Sequence, residues 1–239
     1  MKDRDLVVIF SGAGISAESG ASTFRDSGGL WEQYRIEDVA TPEAWERDPG
    51  LVLDFYRQRY EQMTTARPNE AHLAVASLEE MFRVEVITQN IDDLHERAGS
   101  THVLHLHGEI RKARSTRDPR LVVPLNGPYL KLGDQCPLGS QLRPHIVWFG
   151  EEVPMMQDAM RMVAQADRFI VIGTSLQVYP AAGLVDMVPR GTPIHVVDPG
   201  DVRIALPDVE YLRKKASSGM AELALRLLNA QGQRPTTMR

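Results

Sequence analysis

The sequence predicts an α/β fold: a parallel sheet with helices on both faces, and a smaller inserted lobe. Three observations predict it. The apolar run LVVIF at residues 6–10 passes directly into Ser11-Gly12-Ala13-Gly14, and a buried strand ending in a glycine loop is how nucleotide-binding sheets begin. Similar short runs recur as VEVITQN (84–90), VLHLHG (103–108), HIVWFG (145–150), RFIVIG (168–173) and PIHVVD (193–198), with helical stretches between several of them; that alternation is the mark of βαβ units. Finally, 43% of the 239 residues are hydrophobic and 25% charged, the balance of a globular chain with one large core. A Rossmann-like core is expected over approximately 1–33, 84–110 and 143–239, with the lobe supplied by a helical insertion, 34–83, and by 111–142.

The first strand opens into GAGISAESGASTFRDSGGLW, residues 12–31. Gly12, Gly14 and the small Ala17 let the backbone approach a pyrophosphate, with the N–H groups of the following turn facing it. An ordinary dinucleotide fold would continue with a long helix and a strand carrying an acidic end about 20 residues on. Here Thr23-Phe24-Arg25-Asp26 and Ser27-Gly28-Gly29 break any helix instead. TPEAWERDP suggests a short helix opened by Thr41-Pro42, and apolar positions 51, 52, 55, 56, 60 and 63 repeat at helical spacing. A further helix is expected over 69–82, a short one over DDLHERAG closed by Gly99, and others near 154–165, 180–188 and 220–230. Segment 111–142, rich in Arg, Pro and Gly without periodicity, reads as a long loop or inserted lobe, and the final QGQRPTTMR as a frayed tail.

Composition excludes several classes. A net charge of -5 argues against nucleic acid as the main ligand. Cys136 is the only cysteine, so neither an internal disulfide nor a four-cysteine metal site can form. No apolar run reaches about 18 residues, and MKDRD leads into the first strand without a signal-peptide pattern; no membrane association and a cytoplasmic location are the expectation.

Ligands of an open parallel sheet bind beyond the carboxyl ends of its strands. Those ends carry the Gly12 loop, Gln89-Asn90-Ile91-Asp92, His107-Gly108, Phe149-Gly150-Glu151, Gly173-Thr174-Ser175 and Asp198. Asp198 suits the two hydroxyls of a ribose, or a turn cap equally. Asn90 and Asp92 together match the donors and acceptors of a carboxamide, or cap the DDLHERAG helix. His107 is a candidate general base with Gly108 leaving room beside it, but His105 shares its strand face and spacing does not choose between them. Tyr56 and Arg59 lie at i and i+3 on one helix face, where a phenol and a planar guanidinium can hold a carboxylate.

Together these motifs resemble the sirtuins, the NAD-dependent protein lysine deacylases. GAGISAESG, TFR, GLW, TQNIDDLHERAG, HLHGE, RPHIVWFGE and GTSLQVYPAAGL stand in the family's order over nearly the whole chain. IEDVATPEAW and the Tyr-x-x-Arg pair are most similar to the bacterial branch that removes succinyl and malonyl groups as well as acetyl. The resemblance implies a single catalytic domain that consumes NAD as a co-substrate. It implies cofactor contacts from Gly12, Ala13, Gly14, Ser16, Thr23, Phe24, Arg25, Trp31, Gln89, Asn90, Ile91, Asp92, Gly173, Thr174, Ser175, Asp198 and Ala216. Asn90 and Asp92 would hold the nicotinamide carboxamide, and residues 23–29 would form a mobile cover over that end of NAD. By family analogy the acyl oxygen displaces nicotinamide from the ribose. His107 then draws a proton from the ribose hydroxyls, and free lysine and 2′-O-acyl-ADP-ribose follow. The partner is an acylated-lysine protein or peptide laid as an added strand along 145–151, touching Val147, Phe149, Gly150 and Glu151. Tyr56 and Arg59 would close the acyl channel, and Ala40 would leave room for a longer acyl group.

Two departures from the family stand out. Its members typically carry two Cys-x-x-Cys pairs between HGE and RPHIVWFGE, and a tetrahedral thiolate site needs all four; with Cys136 alone, no zinc is expected and the lobe must be ordered by packing, through residues such as 121–125 and 129–132. Asp198 replaces the usual Asn, which would repel a 2′-phosphate more strongly. A conventional NAD-dependent oxidoreductase and a non-catalytic NAD or ADP-ribose sensor are the rival readings. The sequence does not set the oligomeric state; a monomer is compatible with it.

Overall fold

The computed structural model describes residues 4–20, 34–125, 127 and 129–233. Nine strands among them form two sheets: β1 (Leu6–Ser11), β2 (Arg83–Thr88), β3 (Val103–His105), β4 (Gly108–Ser115), β5 (Val122–Pro124), β6 (Leu142–Ile146), β7 (Arg168–Ile172), β8 (Ile194–Val197) and β9 (Val209–Leu212). The larger sheet has the order β3-β2-β1-β7-β8-β9 and is parallel throughout. The smaller, β5-β4-β6, is antiparallel. Helices are α1 (Ile36–Val39), α2 (Pro42–Arg47), α3 (Pro49–Thr65), α4 (Glu70–Ser77), α5 (Leu94–Ala98), α6 (Met156–Val163) and α7 (Ala216–Gly232).

All six residues of β1 are buried, as a strand covered on both faces requires. Val8 and Phe10 join Phe169, Val171 and Val196 in a core that includes Ala159 and Val163 of α6 and Ala181 and Leu184 of a 3₁₀ turn. Val7 and Ile9 join Ile170, Ile172 and Val197 in the other, closed by Ala71 and Val75 of α4 and Met220 and Leu223 of α7. The alternation of one run of aliphatic side chains thus supplies both layers. The helices begin where the sequence provides caps. Thr41 accepts from Ala44 N at 3.1 Å, Asp48 accepts from Leu51 N at 2.9 Å, and each cap is followed by a proline in the first turn. Gly99, with φ at 108°, ends α5 as expected.

The small lobe packs α1, α2 and α3 on the antiparallel sheet around Val39, Phe55, Tyr56, Ile110, Ala113 and Trp148. Its limits differ from the expected 34–83 and 111–142. Helix α4 covers the large sheet, because Ala71 and Val75, with Leu78 and Phe82 beyond its end, form one apolar face toward β1 and β2. The run 103–108 is not one strand: β3 stops at His105, and Gly108, with φ at 82°, starts the chain into the second sheet. HIVWFG is not a strand of the parallel sheet either. β6 covers residues 142–146 and pairs antiparallel with β4, because an apolar run reports burial and not the neighbour it pairs with. Within 111–142, read as a long loop or inserted lobe, β4 continues to Ser115 and β5 pairs with it. Strand β9 was not expected, and the helical stretch expected near 180–188 is a 3₁₀ helix, Ala181–Met187. No helix among the described residues is long and apolar enough to cross a membrane.

Candidate active site

The parallel register lines up the strand ends. Ser11 lies opposite Thr88 and Ile172, Thr88 opposite His105, and Ile172 opposite Val197. The loops that leave these positions therefore share one edge of the sheet. Strand order reverses between β1 and β7, where such sheets form a crevice, and there the Gly12 and Gly173 loops meet. Gly12 N donates to Ile172 O at 3.1 Å and Gly14 N to Gly173 O at 2.8 Å. A Cβ on Gly14 would sit 2.8 Å from Gly173 Cα, and one on Gly173, whose φ is 61°, would sit 2.2 Å from Ile15 N. The glycines are required by this backbone crossing, a reason the sequence reading, which assigned them to pyrophosphate approach, did not contain.

Around the crossing, Ala13 lies in the turn Ala13–Ile15. Gln89 Nε2 donates to Thr174 Oγ1 at 3.0 Å, joining the loops after β2 and β7, with Ser175 half-buried beside them. Asp198 turns one oxygen onto Gly200 N at 2.7 Å, so the turn-cap role is real for that oxygen. Ala216 is buried at the start of α7, and the adjacent Ser217 N donates to Glu18 Oε2 at 3.1 Å, fastening the glycine-loop turn to the helix. Thr23, Phe24, Arg25 and Trp31, and the expected cover over 23–29, lie outside the described residues.

Behind the loops is a buried polar cluster. Asn90 Nδ2 donates to Ser16 Oγ at 3.1 Å, and Ser16 Oγ donates to Asp92 Oδ2 at 3.0 Å. Asp92 Oδ1 accepts from Leu94 N at 3.1 Å, so one oxygen caps α5 and the other belongs to the cluster. Burial raises the Asp92 pKa, against the pull of these hydrogen bonds. Ile91 holds the segment by accepting from Ile110 N at 2.8 Å. His72 extends the cluster. Its Nδ1 accepts from Asn69 N at 3.3 Å, which leaves Nε2 to donate toward Ser16 Oγ at 3.5 Å, and burial lowers its pKa to about 4. The sequence reading missed His72, although Asn69 and His72 stand three apart at a helix start, the spacing of a capping box.

The structure separates the two strand histidines. His105 Nδ1 bonds the Asn90 carbonyl at 3.0 Å and its Nε2 bonds Glu96 Oε1 at 2.7 Å. Both partners are acceptors, so both nitrogens carry protons. Its pKa is raised: the Glu96 carboxylate outweighs the opposing effect of burial, which is the largest single influence. His107 Nδ1 donates to the Gln89 carbonyl at 3.0 Å, which fixes the tautomer and leaves Nε2 with a lone pair. Burial lowers the His107 pKa, keeping the ring neutral with Nε2 open to accept a proton. Gly108 does not leave room for substrate, as had been expected, because a Cβ there would lie 2.0 Å from the His145 carbonyl oxygen.

Across the crevice, Tyr56 and Arg59 are both buried on α3, at 3% and 7% exposure. Burial pushes the Tyr56 phenol up and the Arg59 guanidinium down. Arg59 Nη1 donates to Gln62 Oε1 at 3.1 Å. The small Ala40 lies in the same cluster, and its carbonyl accepts from Phe149 N at 3.0 Å. Val147 N donates to His107 O at 2.9 Å, while Phe149 and Gly150 are exposed. Glu151, expected among the substrate contacts, is committed elsewhere. Its oxygens accept from Arg114 Nη2 at 2.9 Å, from Arg143 Nη1 at 2.7 Å and Nη2 at 3.0 Å, and from Trp148 N at 2.8 Å. It is the anchor of this edge. The sequence reading also passed over Trp148, whose ring centre lies 6.5 Å from that of Tyr56; strict in–out alternation along 145–149 would have found it, while Tyr129, expected to pack within the lobe, is buried in the same cluster.

Fold and site together define a Rossmann-type α/β protein with a small lobe facing its strand ends. The model of the Sir2 family matches residues 12–180. A Bacteroides thetaiotaomicron NAD-dependent protein deacylase is 51% identical over 235 residues, covering 94% of this chain and 98% of that protein. A Helicobacter pylori J99 protein of the same description is 50% identical over 228 residues, covering 95% and 97%. Among solved structures, a Sir2 homologue–NAD complex aligns with a TM-score of 0.85 at 42% identity over 95% of this chain and 91% of that one. A Sir2–p53 peptide–NAD⁺ complex aligns at 0.75 and 32% over 96% and 94%. The chain belongs to the Sir2 family.

Proposed function

We propose that this chain is an NAD-dependent protein lysine deacylase whose pocket accepts acyl groups ending in a carboxylate, succinyl and malonyl, besides acetyl. The observation that carries the acyl preference is the buried pair Tyr56 and Arg59 inside an otherwise apolar cluster. A guanidinium that burial destabilises is stabilised by an anion entering beside it. A further donor of this cluster, Tyr129 Oη, is buried without a hydrogen-bond partner among the described residues, and a buried donor left unpaired suits a polar guest. Ala40 supports the same reading by keeping the cluster's wall small.

The residues present fit NAD as co-substrate. Asn90, Asp92 and Ser16 already form a hydrogen-bonded set with lone pairs and donors to spare, able to hold a carboxamide. The crossed glycine loops and Thr174 border the crevice, and the second Asp198 oxygen suits a ribose hydroxyl. When bound, NAD supplies the electrophilic ribose carbon and the leaving nicotinamide. His107 then removes a ribose hydroxyl proton through Nε2, and its Nδ1 bond to Gln89 stabilises the resulting imidazolium in place. Val147, Phe149 and Gly150 offer the edge along which an extended peptide adds as a strand.

The lobe is proposed to hold no zinc. Among the described residues no group of three or more His, Cys, Asp or Glu is arranged to bind a metal. Cys136 Sγ lies 3.3 Å from Ser115 Oγ and 3.1 Å from Ser140 Oγ, the two hydroxyls being 2.9 Å apart. Hydrogen bonds thus tie the end of β4 to the 136–140 turn. Metal analysis of the purified protein checks this: one stoichiometric zinc would defeat it. The acyl preference is tested by comparing one peptide in acetyl-lysine and succinyl-lysine forms, using wild type, Tyr56→Phe and Arg59→Met. Succinyl hydrolysis is expected to fall at least tenfold more than acetyl hydrolysis, the scale of a lost charge-assisted hydrogen bond; equal losses would refute the carboxylate clamp.

A further inference from the structure

Gln62 stands one turn beyond Arg59 on α3, half-buried, and its amide is used at both ends. Oε1 accepts from Arg59 Nη1 at 3.1 Å, and Nε2 donates to the Gly20 carbonyl at 3.3 Å. A guanidinium only donates and a carbonyl only accepts, so a primary amide matches both neighbours and is held in one orientation by them. Gly20, with φ at 82°, closes the turn Ala17–Ser19 and is the point from which the chain enters 21–33. Asn69 fastens the same turn from the other side, donating to Ile15 O at 2.8 Å and Ser19 Oγ at 2.9 Å. Of these two amides, Gln62 is the one that also holds the guanidinium of the acyl pocket.

We infer that Gln62 is a positioning residue that aims Arg59 into the acyl pocket and splints it to the rim of the NAD-binding loop, so that acyl selectivity and NAD affinity share one side chain. This rests on the reading of Arg59 as the acyl-carboxylate clamp. Loss of the Gln62 acceptor removes a bond that orients the Arg59 fork, which penalises an acidic acyl group and leaves acetyl indifferent. Without the Nε2 donor the turn at Gly20 loosens, which weakens NAD with either peptide.

The test is a double-mutant cycle of Gln62→Leu and Arg59→Met, reading KM and kcat for the acetyl and succinyl peptides and the Kd of NAD by calorimetry. Gln62→Leu is expected to raise KM for the succinyl peptide about fivefold to tenfold, just under the scale of a lost hydrogen bond to a charged group because the bond removed aims the clamp and is not made to the substrate, with acetyl KM changed less than about twofold. NAD binding is expected to weaken about threefold to fivefold with the fold intact by circular dichroism. In the Arg59→Met background the succinyl effect of Gln62→Leu should vanish while the NAD effect persists. A succinyl effect that survives in that background, or equal KM increases for both peptides, would overturn the positioning role. Unchanged NAD affinity would overturn the splint. If Arg59→Met alone fails to separate the two peptides, the clamp itself is wrong and this inference falls with it; if it separates them and Gln62→Leu does not, only the inference falls.

Discussion

Replacing Glu151 by Gln keeps the shape of the side chain and removes its charge. In the structure that carboxylate accepts four bonds from Arg114 and Arg143 and one from Trp148 N, and the Arg143 guanidinium lies 3.3 Å above the Trp148 ring centre. The two arginine side chains are only 10% and 11% exposed and Glu151 20%. The substitution therefore leaves two nearly buried cations without their counter-ion and turns an NH₂ donor toward one of them. Breaking a buried pair from one side costs about 3–5 kcal/mol, and the residual exposure of Glu151 puts this case near the lower end, about 3 kcal/mol. For a chain of this size that corresponds to a fall in Tm of about 6–12 °C. The pH dependence has a definite sign. Although burial, the largest influence, opposes it, the hydrogen bonds and nearby arginines hold the Glu151 pKa below its ordinary value. Its contribution is thus fully present above the unfolded-state value, about 4.3, and is lost as pH falls through the lower folded-state value. Wild type and variant should differ by a constant amount at neutral pH and converge in acid. Differential scanning calorimetry from pH 3 to 8, with peptide kinetics alongside, measures this. A Tm within about 2 °C of wild type together with a raised peptide KM would restore Glu151 as a substrate contact and refute its role as anchor.

Other outcomes follow from the same geometry. Because burial lowers the His107 pKa, the acid limb of kcat/KM should fall below the ordinary histidine value of about 6.5; a limb at or above that value would show that another group is the base. His107→Tyr should abolish turnover with the fold retained, and measurable turnover in that variant ends the proposed mechanism. Gly173→Ala places a Cβ 2.2 Å from Ile15 N at a φ of 61°, so NAD affinity should drop at least tenfold, with stability lowered by more than about 2 kcal/mol; wild-type values of both would mean the loop crossing is dispensable. Cys136→Ser keeps hydroxyl-type bonding to Ser115 and Ser140, and should cost less than about 1 kcal/mol, while a chelator changes neither Tm nor activity. A chelator-dependent loss would reveal a metal the lobe needs.

Much of the fold was legible because its signals are local. A run of five aliphatic or aromatic residues followed by glycines can be read as a strand and its loop without knowing any neighbour. Thr41-Pro42, Asp48-Pro49 and Gly99 mark helix ends through bonds made within one turn. The site positions at the strand ends were legible for the same reason, since Gly12, Gln89, Gly173 and Asp198 each stand at the end of an apolar run. What misled about pairing and layers was a partner distant in sequence. Residues 142–146 look like the other apolar strands, yet they pair with β4, and nothing in their composition says so. Helix α4 was assigned to the wrong layer because an amphipathic face does not name the surface it covers.

By itself, the sequence determined where most strands of the large sheet and most helices fall, though not β5 or β9, together with the glycine loops and the residue types that follow the apolar runs. Those properties depend on side-chain periodicity and backbone conformation over a few residues. Only the tertiary structure decided their chemistry. It gave His105 a carboxylate at Nε2 and His107 a lone pair there, although the sequence pattern puts both on one strand face; β3 ends at His105 and His107 lies in the turn beyond it. It drew both Glu151 oxygens onto two arginines, and it set the Gly12 and Gly173 loops so close that a single methyl group would separate them. Protonation, exposure and contact are fixed by the neighbours that burial and register bring together, and in a parallel sheet those neighbours lie tens of residues away.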